Sequence, residues 1–304
     1  MFRVKFLILF LGLFLFVNCN KEFKGEGKVK RYTLKFDGEK RVFRVYTPDN
    51  YDESKSYPMV MALHGRLGNG RQMMKSSKFN PIADQKDVIM VYPNGYKKSW
   101  NDGRGEGPAY DDNIDDVGFI NALINRVTGD FSVDGSKVYV CGMSNGGFMS
   151  MRLAHELNNK IAAFGTVTGS LGSNYNYNLS KEVPVMLIAG TEDPLVPYTG
   201  GEVADSDTYS RGFEELFHYF GNNNGCNNQL IEELPEKEND GIRAEKWTYE
   251  TCDNNASCIL FKIIGAGHTW PSGDDSLNEN TVGKESSEIN ASEELVNFFL
   301  QHSL

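Results

Sequence analysis

The strongest chemical signal in the sequence is a Gly-x-Ser-x-Gly pattern centred on Ser144. The apolar run 138–141 before it predicts a buried strand, and residues 147–155 after it have helical composition. A serine at such a strand-to-helix turn needs glycines two residues away, because the sharp bend brings backbone against its Cα. The turn predicts a nucleophilic hydroxyl on Ser144 and an oxyanion-binding amide N–H on Asn145. The pattern alone is common by chance, so this interpretation depends on partners elsewhere in the chain.

A base for the serine must come from the five histidines of the chain. His268 stands out because it follows the glycine-rich stretch 265–267 at the end of the last predicted strand. Glycines leave room for that loop to approach the serine, whose proton an imidazole within hydrogen-bonding reach can remove. His155 and His218 fall within helical patterns and His302 near the end of the chain, positions typical of core or solvated residues.

An acid to orient the imidazole is predicted at Asp193, with Glu192 as the second choice. Asp193 lies just beyond the predicted strand 184–189, at the carboxyl end where open parallel sheets bind ligands. Its carboxylate would fix the tautomer of His268 and stabilise the imidazolium. The chain order of nucleophile, acid and histidine is that of α/β-hydrolases, so the sequence predicts a triad that begins at Ser144.

The second oxyanion donor is expected from the glycine-rich loop 64–70, which follows the predicted strand 59–63. Glycines in this loop allow backbone N–H groups to face an anion. We assign the donor to the Arg66 N–H, with the Leu67 N–H as the alternative. His64 is predicted to order the loop through hydrogen bonds rather than to act as a base.

The elements that position these residues alternate between strand and helix, which predicts a mostly parallel central sheet flanked by helices. An antiparallel hairpin around Asp37-Gly38 is expected at the N-terminal edge. These features favour an α/β-hydrolase fold in one catalytic domain over residues 29–304. Besides the hairpin strands 31–36 and 41–47, the predicted strands are 59–63, 88–92, 137–141, 162–167, 184–189 and 258–264, and the predicted helices are 117–127, 147–157, 209–220 and 292–301.

The N-terminal segment carries Arg3 and Lys5 and then an apolar run, which predicts a secretory signal over residues 1–18. The run is shorter than the roughly 20 residues that span a bilayer. Cys19 occupies the place of the lipidated cysteine in a bacterial lipoprotein signal, and a polar tether over 19–28 follows it. The alternative is an ordinary cleaved signal in which Cys19 has no role.

The charge of the chain bears on its partners. The formal net charge is −10, and removal of the signal with its two cations leaves −12. An acidic chain without clusters of Lys and Arg argues against nucleic acid or an anionic membrane surface as the partner. We therefore expect a neutral substrate, and contact with a membrane only through an N-terminal lipid anchor.

The cysteines predict a disulfide rather than a metal site, because no CxxC or HExxH spacing is present and an exported chain meets an oxidising compartment. Cys141 lies inside a predicted strand and is expected to be buried. Cys226 with Cys252 is the preferred pair, while Cys226 with Cys258 and Cys252 with Cys258 stay open. The acidic run 111–116 lacks the Gly and distal Glu of a calcium loop and suits helix capping. No metal or other cofactor is expected.

The combination of motifs resembles the polyhydroxybutyrate depolymerase and feruloyl esterase family of α/β-hydrolases. The resemblance covers about residues 29–272 and rests on segments 64–65, 92–95, 99–101, 115–120, 142–147, 190–198 and 267–271. It implies an exported serine esterase with the triad named above. The chain departs from the family pattern at Arg66, where a small residue or cysteine is frequent, and at Ser272, where glycine is usual.

The leading functional hypothesis is a serine esterase that removes feruloyl or acetyl groups from carbohydrate, in the periplasm, on the outer membrane or cell surface as a lipoprotein, or secreted. The alternative is a depolymerase of polyhydroxybutyrate or other hydroxyalkanoate esters. A non-catalytic binding lipoprotein is the third, less favoured, hypothesis. Trp270, two residues past the predicted base, and Trp100 are expected to line the substrate pocket.

Replacement of Cys19 by alanine tests the lipid anchor. If Cys19 carries the lipid, Cys19→Ala moves the protein from the membrane fraction to the soluble fraction, because the acyl chains supply the membrane affinity. The measurement is detergent phase partitioning of both proteins expressed in the same bacterial host. Unchanged partitioning would refute lipidation.

Overall fold

The computed structural model describes residues 28–274 and 278–304. The predicted signal 1–18, Cys19 and the tether up to residue 27 lie outside the described residues. Within the two described ranges, no helix is both long enough and apolar enough to cross a membrane.

A ten-stranded sheet forms the centre of the described structure. Its strand order is β1-β2-β4-β3-β5-β6-β7-β12-β11-β10, with neighbours from β4 to β12 parallel and the outer pairs antiparallel. The strands are β1 Val29–Phe36, β2 Glu39–Tyr46, β3 Tyr57–Leu63, β4 Ile89–Pro93, β5 Val133–Met143, β6 Ala163–Val167, β7 Val185–Gly190, β8 Gly200–Glu202, β9 Tyr209–Arg211, β10 Asn227–Glu233, β11 Arg243–Thr251 and β12 Cys258–Ile264. β8 and β9 pair separately as a small two-stranded sheet.

Helices cover both faces of the sheet. They are α1 Gly70–Ser77, α2 Phe79–Lys86, α3 Pro108–Asp111, α4 Asp116–Asp130, α5 Asn145–Glu156, α6 Phe213–Asn223, α7 Glu279–Val282 and α8 Ala291–Phe299. Phe119, Phe148 and Phe217 of α4, α5 and α6 belong to one buried cluster, while Phe79 and Phe299 of α2 and α8 belong to another. The predicted mostly parallel sheet flanked by helices is thus confirmed.

The central strands are continuous apolar runs because both of their faces are covered. Every residue of β4, β6 and β7 is buried. Side chains of successive residues point to opposite faces, so a strand covered on one face only would alternate between apolar and polar residues. The carboxyl ends of these parallel strands form one edge of the sheet, where the residues of the predicted triad lie.

The N-terminal hairpin is confirmed as an antiparallel edge. Phe36 pairs with Glu39 across the turn. Asp37 and Gly38 both have positive φ, at 46° and 79°. Positive φ at both central residues is the geometry that matches the twist of two adjoining strands and favours Asp-Gly.

The structure differs from the sequence prediction in several places. Helices α1, α2, α3 and α7 and the hairpin β10–β11 are not among the predicted elements. The predicted helix 209–220 begins only at Phe213, because residues 209–211 pair with 200–202 as β9 and β8. Every residue of β10 is exposed, so no face of the strand has to be apolar. Its sequence therefore lacks the alternation of apolar and polar residues by which a strand is predicted.

A disulfide joins Cys226 and Cys252 at the open end of the β10–β11 hairpin. Cys226 directly precedes β10 and Cys252 directly follows β11. The bond therefore holds the two strands together at the end of the hairpin away from its connecting turn. Cys141 and Cys258 are free and buried. Burial raises the pKa of both thiols, which keeps them protonated and unreactive.

Candidate active site

The turn between β5 and α5 holds Ser144 in a backbone conformation that few non-glycine residues adopt, with φ 53° and ψ −123°. A side chain at Gly142 would overlap the carbonyl oxygen of Gly146. One at Gly146 would overlap the carbonyl oxygen of Leu63, in the neighbouring strand β3. The two glycines are therefore required by close backbone packing, as the pattern predicts. A strained residue held by its surroundings is typical of a functional site.

Backbone hydrogen bonds hold this turn on both sides. The Ser144 N–H donates to the Val167 carbonyl at 2.9 Å, at the end of the adjacent strand β6. The Ser144 carbonyl accepts from the N–H groups of Gly147 at 2.7 Å and Phe148 at 2.9 Å. The N–H of Asn145, in the first turn of α5, has no acceptor within the helix. The positive end of the helix dipole also lies there, so the site favours an anion.

The predicted base and acid are joined by a hydrogen bond. His268 Nδ1 lies 2.7 Å from Asp193 Oδ2, and both side chains are buried. The other oxygen of Asp193 accepts from the N–H groups of Leu195 and Val196, each at 2.8 Å. These two bonds fix the orientation of the carboxylate, so that Oδ2 is directed at the imidazole of His268. The second-choice acid, Glu192, is exposed.

All three predicted triad residues lie at the same edge of the sheet. Ser144 follows β5, Asp193 follows β7 and His268 follows β12, and these strands run parallel in the order β5-β6-β7-β12. Among the described residues, no hydrogen bond connects the Ser144 hydroxyl to His268. Hydrogen bonds of this kind often tighten only when substrate is bound.

His64 shapes the loop after β3 with both nitrogens of its ring. Nε2 accepts the Gly95 N–H at 2.9 Å, so Nδ1 carries the proton and donates to the Gly65 carbonyl at 2.7 Å. The Gly68 N–H donates to the same carbonyl at 3.1 Å. Because a trans peptide points its C=O and N–H in opposite directions, these bonds direct the Arg66 N–H to the other side.

The alternative donor of this loop is already engaged. The Leu67 N–H donates to the Lys98 carbonyl at 2.9 Å. A Cβ atom placed on Gly65 would lie 3.4 Å from the Cβ of Ser144, so the loop runs directly beside the serine. Of the two predicted donors, the Arg66 N–H is the one that the loop leaves for an oxyanion.

The two predicted substrate-contacting tryptophans are buried instead. Trp100 has no exposed surface, and its indole N–H donates to the His64 carbonyl at 2.9 Å. Trp270 is 3% exposed; it packs edge-on against Phe79, and its indole N–H donates to Ser292 at 3.0 Å. In this structure neither ring offers a surface to a substrate, because both are enclosed by their own protein contacts.

Sequence reasoning missed the side chain of Asn145 and its contacts. Its Oδ1 accepts from the Trp100 N–H at 2.8 Å, and its Nδ2 donates to the Trp100 carbonyl at 3.0 Å and to Asp102 Oδ2 at 2.6 Å. Asp102 also accepts two hydrogen bonds from the guanidinium of Arg104, at 3.0 and 2.7 Å. The available signal was an amide residue directly after the predicted nucleophile, but its partners lie over forty residues away.

The acidic run 111–116 serves the start of α4. Asp115 accepts from the Gly118 N–H at 2.7 Å as the N-cap of the helix. Asp116 is fully buried and pairs with Arg41 at 2.6 Å, and it also accepts the Asn101 N–H at 2.8 Å. Burial raises the pKa of Asp116, while the Arg41 charge opposes that shift. Within residues 28–274 and 278–304, no group of three or more His, Cys, Asp or Glu side chains is arranged to hold a metal ion.

Comparison with known proteins identifies relatives over most of the chain. A family model described as Esterase PHB depolymerase matches residues 42–200, just over half of the chain. NocK of Nocardia uniformis subsp. tsuyamanensis, a protein assigned as an esterase, is 28% identical over 275 residues, which cover 86% of this chain and 80% of NocK. Feruloyl esterase C of Emericella nidulans is 27% identical over 230 residues, which cover 74% of this chain and 75% of that protein.

A solved structure shares the fold. A ferulic acid esterase from Anaeromyces mucronatus, in complex with ferulic acid, superposes with a TM-score of 0.57 at 18% identity. The superposition covers 92% of this chain and 93% of that chain. The predicted α/β-hydrolase fold is therefore confirmed.

The buried imidazole of His64 predicts a loss of stability in mild acid. Burial, assisted by the charge of Arg41, lowers its pKa from 6.5 to about 4, while the hydrogen bond to Gly65 opposes the shift. Between these values the unfolded chain binds the proton and the folded chain does not, so the free energy of unfolding falls as pH drops from about 6.5 to about 4. A shift of this size corresponds to about 3 kcal/mol.

Urea unfolding of wild type and His64→Gln at several pH values checks this expectation. The variant should lose part of the pH dependence in that window. His302 provides a control away from the site, because burial also lowers its pKa to about 4. His302→Gln should flatten the same slope but leave ester hydrolysis intact. If the free energy of unfolding depends on pH equally in wild type and His64→Gln, His64 does not have the lowered pKa.

Proposed function

The chain belongs to the Esterase PHB depolymerase family and is a carboxylic ester hydrolase, and on that premise we propose that it is an exported serine esterase with the triad Ser144, His268 and Asp193. The observation that most supports the triad is the buried 2.7 Å hydrogen bond between His268 and Asp193. This pair lies at the sheet edge where the glycine-flanked turn presents Ser144. A nucleophile, a base and an orienting acid in that order make up the machinery of acyl transfer.

The reaction proceeds through an acyl-enzyme. Ser144 Oγ attacks the ester carbonyl while His268 Nε2 takes its proton, and Asp193 stabilises the resulting imidazolium. The tetrahedral intermediate collapses as His268 returns the proton to the departing alcohol. A water molecule then attacks the acyl-serine, His268 again acts as the base, and the carboxylic acid is released with Ser144 restored.

Two backbone N–H groups stabilise the oxyanion of the tetrahedral intermediate. One belongs to Asn145 at the start of α5, and the other to Arg66 in the loop after β3. Each such donor contributes about 2.7–4 kcal/mol to lowering the barrier, because it is already oriented before charge develops.

The favoured substrates are feruloyl or acetyl esters of carbohydrate. This choice is supported by relatives named as feruloyl and ferulic acid esterases. The alternative is a hydroxyalkanoate ester such as polyhydroxybutyrate, which the family description supports. Leu67 is 73% exposed on the loop that carries the proposed oxyanion donor, and its apolar surface could contact either an aromatic acyl group or a polyester chain. A non-catalytic binding role is disfavoured because it leaves the buried acid–histidine pair without a purpose.

Export is part of the proposal. Residues 1–18 have the composition of a secretory signal, and Cys19 is the candidate for a lipid anchor in the periplasm, outer membrane or cell surface. The disulfide between Cys226 and Cys252 supports an oxidising compartment, where such bonds persist.

Removal of the nucleophile tests the triad. Ser144→Ala should reduce kcat for p-nitrophenyl butyrate by ~10⁴-fold or more, because no acyl-enzyme can form. Ser136→Ala, a variant of a half-buried serine outside the site, is the matched control and should retain full activity. Hydrolysis by Ser144→Ala at the wild-type rate would refute the assignment.

A substrate panel separates the two esterase hypotheses. Rates are measured on methyl ferulate, acetylated xylan and a hydroxybutyrate oligomer, with Ser144→Ala as the blank. The proposal expects kcat/KM to be highest on methyl ferulate or acetylated xylan. A clear preference for the hydroxybutyrate oligomer would favour the depolymerase alternative.

A further inference from the structure

We propose that the side chain of Asn145 is a positioning residue that, through Trp100 and His64, holds the two oxyanion donors in a fixed relation to each other. The inference rests on the proposed function and deepens it, because it explains how donors from two distant loops are kept together. The path has three steps, and each includes a hydrogen bond made by a buried side chain.

The first step joins Trp100 to the turn between β5 and α5, which holds Ser144 and Asn145. The carboxamide of Asn145 binds both backbone polar groups of Trp100, accepting its N–H at 2.8 Å and donating to its carbonyl at 3.0 Å. The second hydrogen of Nδ2 goes to Asp102, whose carboxylate Arg104 binds from the other side. Only one orientation of the amide satisfies these partners, so the side chain fixes Trp100 relative to the backbone that carries the first donor.

The second step joins Trp100 to the loop 64–70, which carries the proposed donor of Arg66. Its indole N–H donates to the His64 carbonyl at 2.9 Å. The indole and imidazole rings also pack together, with centroids 5.1 Å apart. Trp100 is fully buried and His64 is 2% exposed, so water does not compete for these contacts.

The third step ends at the second donor. His64 Nδ1 donates to the Gly65 carbonyl, which orients the peptide unit between Gly65 and Arg66 so that the Arg66 N–H of that unit points the opposite way. The donors of Asn145 and Arg66 lie far apart in the sequence, yet one chain of polar contacts connects them. The side chains of Asn145, Trp100 and His64 in this chain of contacts are buried and hydrogen-bonded, which makes such a network rigid.

This rigidity has a catalytic consequence. Oxyanion donors lower the barrier only if they are already aimed at the developing charge, and catalytic groups must be held within roughly 0.5 Å of their working positions. Loss of the Asn145 carboxamide leaves both N–H groups in the chain but frees the loop to shift. We therefore expect transition-state stabilisation to weaken while the binding of ground-state substrate is retained.

A second asparagine provides a matched control for a purely structural role. Asn224 is fully buried and makes the same pattern of bonds, accepting the Val183 N–H at 3.1 Å and donating to the carbonyls of Val183 and Ala256, each at 2.8 Å. These partners precede β7 and β12, at the opposite edge of the sheet from the triad. Asn224→Ala thus removes an equivalent buried clamp without touching the site.

The experiment compares Asn145→Ala with Asn224→Ala on p-nitrophenyl butyrate. Both variants should melt at a lower temperature than wild type. Asn145→Ala should lower kcat by about 10- to 100-fold with KM unchanged, since a misplacement of about 1 Å can reduce the rate about 100-fold. Affinity for a boronic acid that forms a tetrahedral adduct should fall by the same factor. Asn224→Ala should keep the wild-type kcat. Equal kcat losses in the two variants, or an unchanged kcat in Asn145→Ala, would overturn the inference.

A double-mutant cycle tests the path itself, and its single variant Trp100→Phe still tests the path if Asn145→Ala fails to fold. Trp100→Phe removes the indole N–H bonded to His64 but keeps an aromatic ring. This variant alone should lower kcat without raising KM. Combined with Asn145→Ala, it should add little further loss, because residues that act through one chain are non-additive. Multiplied losses, or a Trp100→Phe variant with wild-type kcat, would reject the path.

Failure of this inference is distinguishable from failure of the proposed function. An inactive Ser144→Ala together with a fully active Asn145→Ala would retain the triad and reject the positioning role. An active Ser144→Ala would reject the triad, and the positioning role with it.

Discussion

Close backbone packing at the turn around Ser144 is the constraint on which the rest of the site depends. There the end of β5, the start of α5 and the end of β3 approach so closely that Gly142 and Gly146 have no room for a side chain. The strained φ of Ser144 is stable only because hydrogen bonds from β6 and from α5 hold it. The same packing brings the loop after β3, which carries the Arg66 N–H, beside Ser144.

The buried polar groups near the turn are satisfied in linked sets rather than singly. Asp102 serves both Asn145 and Arg104, and Asp116 serves both Arg41 and the backbone of the loop that contains Trp100. Taking a charge out of water is unfavourable, and removing one partner of a buried pair leaves the other uncompensated. These ion pairs therefore fix a loop that has little regular secondary structure, and through it they support the two proposed oxyanion donors.

The proposed acid and base, Asp193 and His268, are separated from this network and are held by the other half of the sheet. Asp193 is fixed by two N–H groups of its own loop, so its remaining oxygen is available to His268. The two halves of the sheet meet at β6, which lies between β5, the strand before Ser144, and β7, the strand before Asp193. A fold of this kind combines a rigid sheet with loops that differ between relatives, which is why a shared family leaves the acyl group of the substrate open.

The sequence by itself determined the features that depend on local covalent geometry. The glycines around Ser144, the Asp-Gly turn of the first hairpin and the continuous apolar strands each have one dominant structural meaning, so the sheet and the chain order of the candidate triad could be predicted. Tertiary structure alone decided what depends on distant partners. The Leu67 N–H donates to the Lys98 carbonyl and is therefore not available to an oxyanion. Trp100 is buried by contacts with His64 and Asn145. The exposed strand β10 forms because β11 pairs with it. No local pattern encodes such contacts, because a hydrogen bond or a buried surface exists only once both partners have been brought together.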